Sequence, residues 1–329
     1  MERNKEFEIK KRLKLFLKED NLVEEYIKRY GYVIDIKKIN EIRNNKNAIG
    51  NSRSIINSIP INHPDNPLYE IELKCPVCHS TLKGYNLKSK SLIVKYNWFM
   101  VPFYEKNKNY IYIDYLIYNV SVCPKCLFAS PDERDFEKYN KYANSYSKSA
   151  IPFNMLLKLK DTQPEREQII EYLEDTEKVF SYPRDIKAGI LSYKLAINRA
   201  DYEIEFNLPN AHFKKGGYLL RLATLMEKNN EKEEDIKNCY QEALDAFKEA
   251  FKLSNFSSKE AEFYNLYLIV VLSIYLDDLK SAQEYLHFFD KAKEEIDKEE
   301  DIKVYEKWYK RAKEAFDYRD VKDIFNKPR

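Results

Sequence analysis

Two short motifs contain the residues that could do chemistry. "KCPVCHST" (74–81) and "VCPKCLFAS" (122–130) each hold a Cys-Pro-x-Cys pair, and together they use four of the five cysteines in a chain of 329 residues. Zinc takes four ligands in a tetrahedron and binds thiolates well. The duplicated pattern therefore predicts one metal site formed by Cys75, Cys78, Cys123 and Cys126.

The local sequence of each motif suits metal binding. A Cys-x-x-Cys turn places two sulfurs on the same side of a tight loop, and proline after the first cysteine restricts φ to about −65°. Two such turns predict the two halves of a zinc-ribbon site. The 44 residues between the motifs exceed the roughly 15–20 of a compact ribbon, so a longer insertion is expected. His79 and Leu127 stand where such turns often carry a glycine with positive φ.

Three other uses of these cysteines are conceivable. "CPVCH" (75–79) matches the c-type haem attachment pattern, but attachment requires export, and "MERNKEFEIKKRLKLF" has no apolar signal region. A redox disulfide pair would need a thioredoxin-like βαβ context, which is missing. A rubredoxin-like iron site uses the same four thiolates and stays open. We expect a structural zinc ion, because four cysteines leave no open coordination position for catalysis.

The composition limits the classes of protein to which this chain can belong. The longest near-continuous apolar run, "YLIVVLSIYL" (267–276), is about half of what a membrane span needs, so it predicts a buried helix. A cytoplasmic protein is expected, in which thiols stay reduced and paired cysteines favour metal over disulfide. Residues 1–131 carry 22 Lys and Arg against 14 Asp and Glu, whereas residues 132–329 carry 34 against 40.

Hydrophobic periodicity predicts an α+β fold that is mainly α. Residues 68–122 read as short antiparallel strands in "YEIELK", "SLIVKYNW" and "NYIYIDY…IYNVSV". After Pro131 the chain reads as helical to its end. Amphipathic stretches cover roughly 164–180, 184–204, 210–228, 233–254, 257–277, 279–296 and 302–317.

One helix pair resembles a tetratricopeptide unit. Ala243, Phe247 and Ala250 have the small–large–small spacing of that repeat's second helix. The predicted domains are an N-terminal helical segment (1–45), a linker (46–67), a zinc-ribbon-like β domain (68–131) and a tetratricopeptide-like antiparallel helical array (132–329). An irregular helical bundle is the alternative for the last of these.

The chain is similar to a bacterial family catalogued as a domain of unknown function, number twenty-two twenty-five. The resemblance rests on "CPVCHS", "LKSKSLIV", "YNVSVCPKCLFASPDERDF", "DIKAGILSYKLAI" and "GGYLLRLATLMEKN…YQEALDAFKEAF", and it covers roughly residues 68–255. Family members tend to show Cys-Pro-x-Cys-Gly at the second motif, from which Leu127 departs. The resemblance implies metal binding and the order of the two domains, and it implies no activity.

The expected function is that of a non-enzymatic interaction or scaffold protein. No His-Glu-x-x-His, Gly-x-Ser-x-Gly or P-loop motif occurs. A helical-repeat body predicts a protein or peptide partner. Nucleic-acid binding by the basic N-terminal half is the alternative, with charge and stacking rings supplied by "KKRLK" (10–14), Lys83, Lys88, Lys90, Lys95, Tyr85, Tyr96 and Trp98. An iron or redox protein is the second alternative.

Overall fold

The structure is a computed structural model that describes Ile27 and residues 59–329, apart from 141, 143, 171, 172, 174, 254, 255, 257, 295, 297, 322 and 323. The predicted helical segment 1–45 lies outside the described residues except for Ile27, which is helical, and most of the predicted linker 46–67 also lies outside them. Backbone contacts divide the chain into two units, Met1–His63 and Pro64–Arg329. The elements described here all belong to the second unit. The predicted division at 131/132 stays a prediction.

Among the described residues, the first half of this unit contains eight short strands, paired in sequence order into four antiparallel two-stranded sheets. Their bounds are β1 Leu68–Lys74, β2 Thr81–Leu87, β3 Leu92–Tyr96, β4 Pro102–Lys106, β5 Ser121–Val122, β6 Ala129–Ser130, β7 Tyr139–Asn140 and β8 Ser145–Tyr146. The strand expected over 109–122 is wrong for most of its length. Asp114 there accepts a hydrogen bond from the Leu116 backbone N–H (3.2 Å) and starts a 3₁₀ turn, Tyr115–Ile117.

Nine α-helices follow within the described part of the chain. Their bounds are α1 Phe153–Asp161, α2 Gln163–Ile169, α3 Thr176–Phe180, α4 Ile186–Glu205, α5 Ala211–Lys228, α6 Glu233–Leu253, α7 Lys259–Tyr275, α8 Leu279–Glu294 and α9 Glu299–Asp317. The fold is therefore α+β and mainly α, as predicted. The helix expected over 164–180 is two helices, because Asp175 caps a new start by accepting from the Lys178 N–H at 3.0 Å.

The long helices pack as sequential neighbours, α4 on α5, α5 on α6 and α6 on α7. Ala243, Phe247 and Ala250 are buried, and the Phe247 ring lies so close to Gly216 that a Cβ there would stand 2.7 Å from it. This close approach is what the small–large–small spacing predicted, although the tetratricopeptide-like assignment stays a prediction. The apolar run at 267–276 lies in α7, which is buried along most of its length. No described helix combines the length and apolar character that a membrane crossing requires.

Residues from outside the helices also fill the aromatic core of the helical body. Phe99, in the loop between β3 and β4, packs its ring 5.0 Å from Tyr240 and 5.2 Å from Tyr275. Trp98 in the same loop packs 5.4 Å from Phe325. Both loop residues and Phe325 are buried. The strand region and the helices thus share one hydrophobic core.

Candidate metal centre

The four predicted sulfurs meet at one place. The Sγ atoms of Cys75, Cys78, Cys123 and Cys126 all lie within 4.8 Å of one another. Two separations between the motifs are 3.4 Å, from Cys75 to Cys126, and 3.5 Å, from Cys78 to Cys123. A tetrahedral zinc ion with Zn–S bonds of about 2.3 Å needs sulfurs about 3.8 Å apart. The cluster therefore has the size of a four-thiolate metal site, and the cysteines are free thiols rather than disulfides.

Both motifs fold into the same turn, which we call a knuckle. Knuckle 1 (75–80) joins β1 to β2, and knuckle 2 (123–128) joins β5 to β6. In each, the N–H of the first cysteine donates to the carbonyl five residues later, at 2.9 Å in knuckle 1 and 2.8 Å in knuckle 2. In each, the residue after the second cysteine has a left-handed backbone, with φ of 60° at His79 and 61° at Leu127. The positive φ typical of metal knuckles is thus adopted here without glycine.

The centre lies in its own hydrophobic cluster. Cys75, Cys123 and Cys126 are buried, whereas Cys78 is partly exposed. Apolar side chains from both hairpins and from α1 surround the sulfurs, among them Leu73, Val77, Leu82, Phe128, Phe136, Met155 and Leu159. A dry environment of this kind slows the exchange of a bound metal with water and with competing ligands.

The thiols in this cluster do not ionise independently. Hydrogen bonds from the Cys126 and Cys75 thiols lower the pKa of the Cys123 thiol far below its usual range, although burial opposes this. Hydrogen bonds to Cys123 and Cys126, together with burial, raise the pKa of Cys75. A divalent metal at the centre would favour the thiolate form of all four cysteines.

Ser80 is a neighbour of the cluster that sequence reasoning did not single out. Its hydroxyl oxygen lies 2.9 Å from Cys78 Sγ and 3.3 Å from Cys123 Sγ. A hydroxyl at these distances can donate to a thiolate of either knuckle. Such outer hydrogen bonds orient the metal ligands and adjust their basicity. The only sequence signal was its position two residues after a metal-type cysteine.

Knuckle 2 is held by side chains of the first helices. Thr176 Oγ1 donates to the carbonyl of Pro124 at 2.9 Å, and the Gln163 amide donates to the carbonyl of Lys125 at 3.3 Å. Arg166 Nε donates to the carbonyl of Cys126 at 2.9 Å. Three successive carbonyls of the knuckle are therefore bound by residues at or near α2 and α3. Sequence reasoning missed these contacts, because they join residues 38 to 52 positions apart.

Arg166 is also a buried cation beside the cluster. It is fully buried, and its guanidinium donates to the carbonyl of Leu159 as well as to that of Cys126. Burial lowers the pKa of Arg166, while the thiols of Cys126 and Cys75 act to raise it. Four thiolates around a divalent ion carry a net charge of −2. A guanidinium at this place offsets part of that charge.

A buried ion-pair network fixes the segment after β6. Arg199 on α4 contacts Asp135 Oδ2 at 2.6 Å and Glu203 Oε1 at 2.8 Å, and all three residues are buried. Ser130 at the end of β6 donates to the same Asp135 carboxylate at 2.5 Å. The β5–β6 hairpin is therefore attached to the helical body by buried ion pairs as well as by apolar contacts.

The remaining predicted residues are placed as follows. Cys239 lies on α6, away from the cluster, with its Sγ 3.7 Å from Met226 Sδ. Of the three rings proposed for base stacking, Tyr85 and Trp98 are buried and Tyr96 is exposed. The "KKRLK" segment (10–14) lies outside the described residues.

Taken together, the fold and the cluster define a mainly helical α+β protein with two Cys-Pro-x-Cys knuckles that form one four-thiol centre. A family model described as "Uncharacterized protein conserved in bacteria (DUF2225)" matches residues 68–318, and the chain belongs to this family. The match extends the resemblance noted from the sequence through the whole of α9. No curated protein and no solved structure matches the chain.

Proposed function

We propose that Cys75, Cys78, Cys123 and Cys126 hold one structural zinc ion and that the protein acts as a non-enzymatic interaction protein. The observation that carries the proposal is the approach of four thiol sulfurs, all within 4.8 Å, from two turns of the same backbone form. Sulfur fills all four positions of a tetrahedral zinc site, which leaves none for water or substrate. The role of the ion is to join the β1–β2 and β5–β6 hairpins, which belong to separate two-stranded sheets.

An interaction role agrees with the rest of the described surface. The helical body offers a large surface, and the aromatic face around Tyr240 and Tyr275 is already covered by Phe99 of the same chain. A partner would therefore bind on another surface. We prefer a protein or peptide partner to a nucleic acid, because two of the three proposed stacking rings are buried.

The metal is tested by elemental analysis and native mass spectrometry of the purified protein. We expect one zinc per chain, and loss of that zinc from the Cys123→Ser variant. Removing a direct ligand should weaken metal binding by more than the roughly 10–100-fold that loss of an outer partner costs. The matched control is Cys239→Ser, which changes a cysteine distant from the cluster and should keep the zinc. Iron with visible absorption would support the rubredoxin-like alternative, and a Cys123→Ser variant that keeps its metal would overturn the proposed site.

The interaction role is tested by repeated affinity capture with the tagged, zinc-loaded chain. We expect the same partner protein in independent purifications and its loss after the metal is removed with a chelator. If the chain recovers no protein above an unrelated bait of similar charge, the interaction role is wrong even when the zinc is present.

A further inference from the structure

The shape and charge of a groove beside the metal centre bear on the kind of partner that the protein binds. It has a volume of about 410 Å³ and lies between the β1–β2 hairpin and the end of α3, with Pro124 of knuckle 2 at its side. Ligand pockets in proteins commonly measure about 300–1,000 Å³, so the groove has room for a few side chains. Its buried apolar lining consists of Leu82, Val122 and Phe180.

Carboxylates dominate the rim of this groove. Glu70, Glu72 and Glu177 line it together with one cation, Lys83. Lys83 Nζ lies 3.1 Å from Glu70 Oε2, so these two charges compensate each other. Two carboxylates are then left without a cation in the groove.

Neither of these two carboxylates is strongly engaged elsewhere. The Glu72 carboxylate accepts a long hydrogen bond from the Tyr146 hydroxyl at 3.4 Å. The side chain of Glu177 has no ion-pair or hydrogen-bond partner among the residues that the structure describes. Both residues are exposed. The groove therefore combines an apolar interior with a net negative rim.

We propose that this groove binds a peptide segment of a partner protein in which Lys or Arg residues flank an aliphatic or aromatic side chain. The apolar side chain fills the space over Leu82, Val122 and Phe180, while the cations meet Glu72 and Glu177. Opposite charges steer such an encounter and set its specificity. The rim repels a phosphate backbone, so a nucleic acid is a poor occupant. The inference rests on the proposed interaction role and names the site and the partner class for it.

The groove also depends on the metal centre. Val122 immediately precedes Cys123, and Pro124 follows it, while Leu82 packs in the cluster that surrounds the sulfurs. Knuckle 2 and the β1–β2 hairpin therefore form two of its sides. Removing the metal should disturb both and weaken peptide binding.

The test uses the full zinc-loaded chain and a fluorescein-labelled seven-residue peptide of alternating Lys and Leu. We expect saturable binding by fluorescence anisotropy, weaker at higher salt because charge contributes. The Glu72→Lys/Glu177→Lys double variant should bind at least about 10-fold more weakly, which corresponds to about 1.4 kcal/mol. A peptide with Glu in place of Lys should not bind.

The matched control is Glu234→Lys/Glu242→Lys, which makes the same change in net charge at two exposed positions of α6. It should bind the Lys/Leu peptide as the unmodified chain does. Equal weakening in both double variants, or no binding to the unmodified chain, overturns the proposal. The unmodified chain could instead self-associate without binding the peptide, and only Glu72→Lys/Glu177→Lys could abolish that self-association. The groove would then bind a second copy of the chain, and the peptide proposal would be overturned. Zinc content, measured on every sample, shows separately whether the metal site holds.

Discussion

The two knuckles have the same backbone but different surroundings. Both begin with Cys-Pro-x-Cys, close with the same hydrogen bonds and place a non-glycine residue at φ near +60°. In knuckle 2, side chains of Thr176, Gln163 and Arg166 bind three successive carbonyls. Knuckle 1 instead has a partly exposed cysteine, Cys78, and an exposed residue after it.

Knuckle 1 is attached mainly at its base. The backbone groups of Lys74 and Glu137 exchange hydrogen bonds at 2.8 and 2.9 Å, and their side chains form an ion pair at 3.0 Å. The His79 side chain is 65% exposed, and its Nδ1 lies 3.8 Å from Glu137 Oε1. The same local motif therefore forms both the more firmly held half and the less restrained half of one metal site. We expect metal to leave first from the side of knuckle 1.

Among these substitutions, Arg166→Met should lower the free energy of unfolding most. The substitution removes a buried guanidinium that donates to the carbonyls of Cys126 and Leu159, and the loss of such bonds should lower the free energy of unfolding by about 3 kcal/mol or more. Chemical denaturation of the zinc-loaded protein measures it. Arg134→Met is the control, because that guanidinium is 84% exposed and its loss should leave the denaturation midpoint nearly unchanged. Equal stability of the two variants would show that knuckle 2 is not held through Arg166.

Glycine in place of the residue after each second cysteine should change the stability of the protein in opposite directions in the two knuckles. His79→Gly relieves a left-handed residue whose side chain is exposed, so a gain of up to about 1 kcal/mol is expected. Leu127→Gly relieves the same backbone strain but removes a side chain that is 2% exposed, and a net loss of about 2–4 kcal/mol is expected. Thermal and chemical unfolding of both variants measure this. Destabilisation of both to the same extent would mean that the two surroundings do not differ as described.

The smallest change in stability is expected from Thr176→Val. It removes the donor to the Pro124 carbonyl, which should cost about 1 kcal/mol with little change in metal affinity. Ser80→Ala is the matched change at knuckle 1. It removes a hydroxyl near two sulfurs and should weaken metal binding roughly 10-fold, which lowers the stability of the zinc-loaded protein by about 1.4 kcal/mol through the binding equilibrium. Competition with a chromophoric chelator measures the affinities, and a reversal of the two effects would contradict the assigned roles.

Prediction from the sequence succeeded where the signal was local or duplicated. The paired cysteines indicated which side chains meet, and the apolar run at 267–276 indicated the buried helix α7. It failed where a polar side chain redirected the backbone. Asp114 converts an expected strand into a turn, and Asp175 divides an expected helix. Such caps compete with regular structure through short hydrogen bonds that periodicity does not register.

The amino-acid sequence by itself determined the four metal-type cysteines and the mainly helical second half, because these follow from residue type and spacing over a few positions. Only the tertiary structure decided that knuckle 2 is held by Arg166, that the Ser80 hydroxyl of knuckle 1 also contacts a sulfur of knuckle 2, and that an acidic groove lies beside them. Those features join residues far apart in the chain, and the packing that brings them together depends on the whole core rather than on any local pattern.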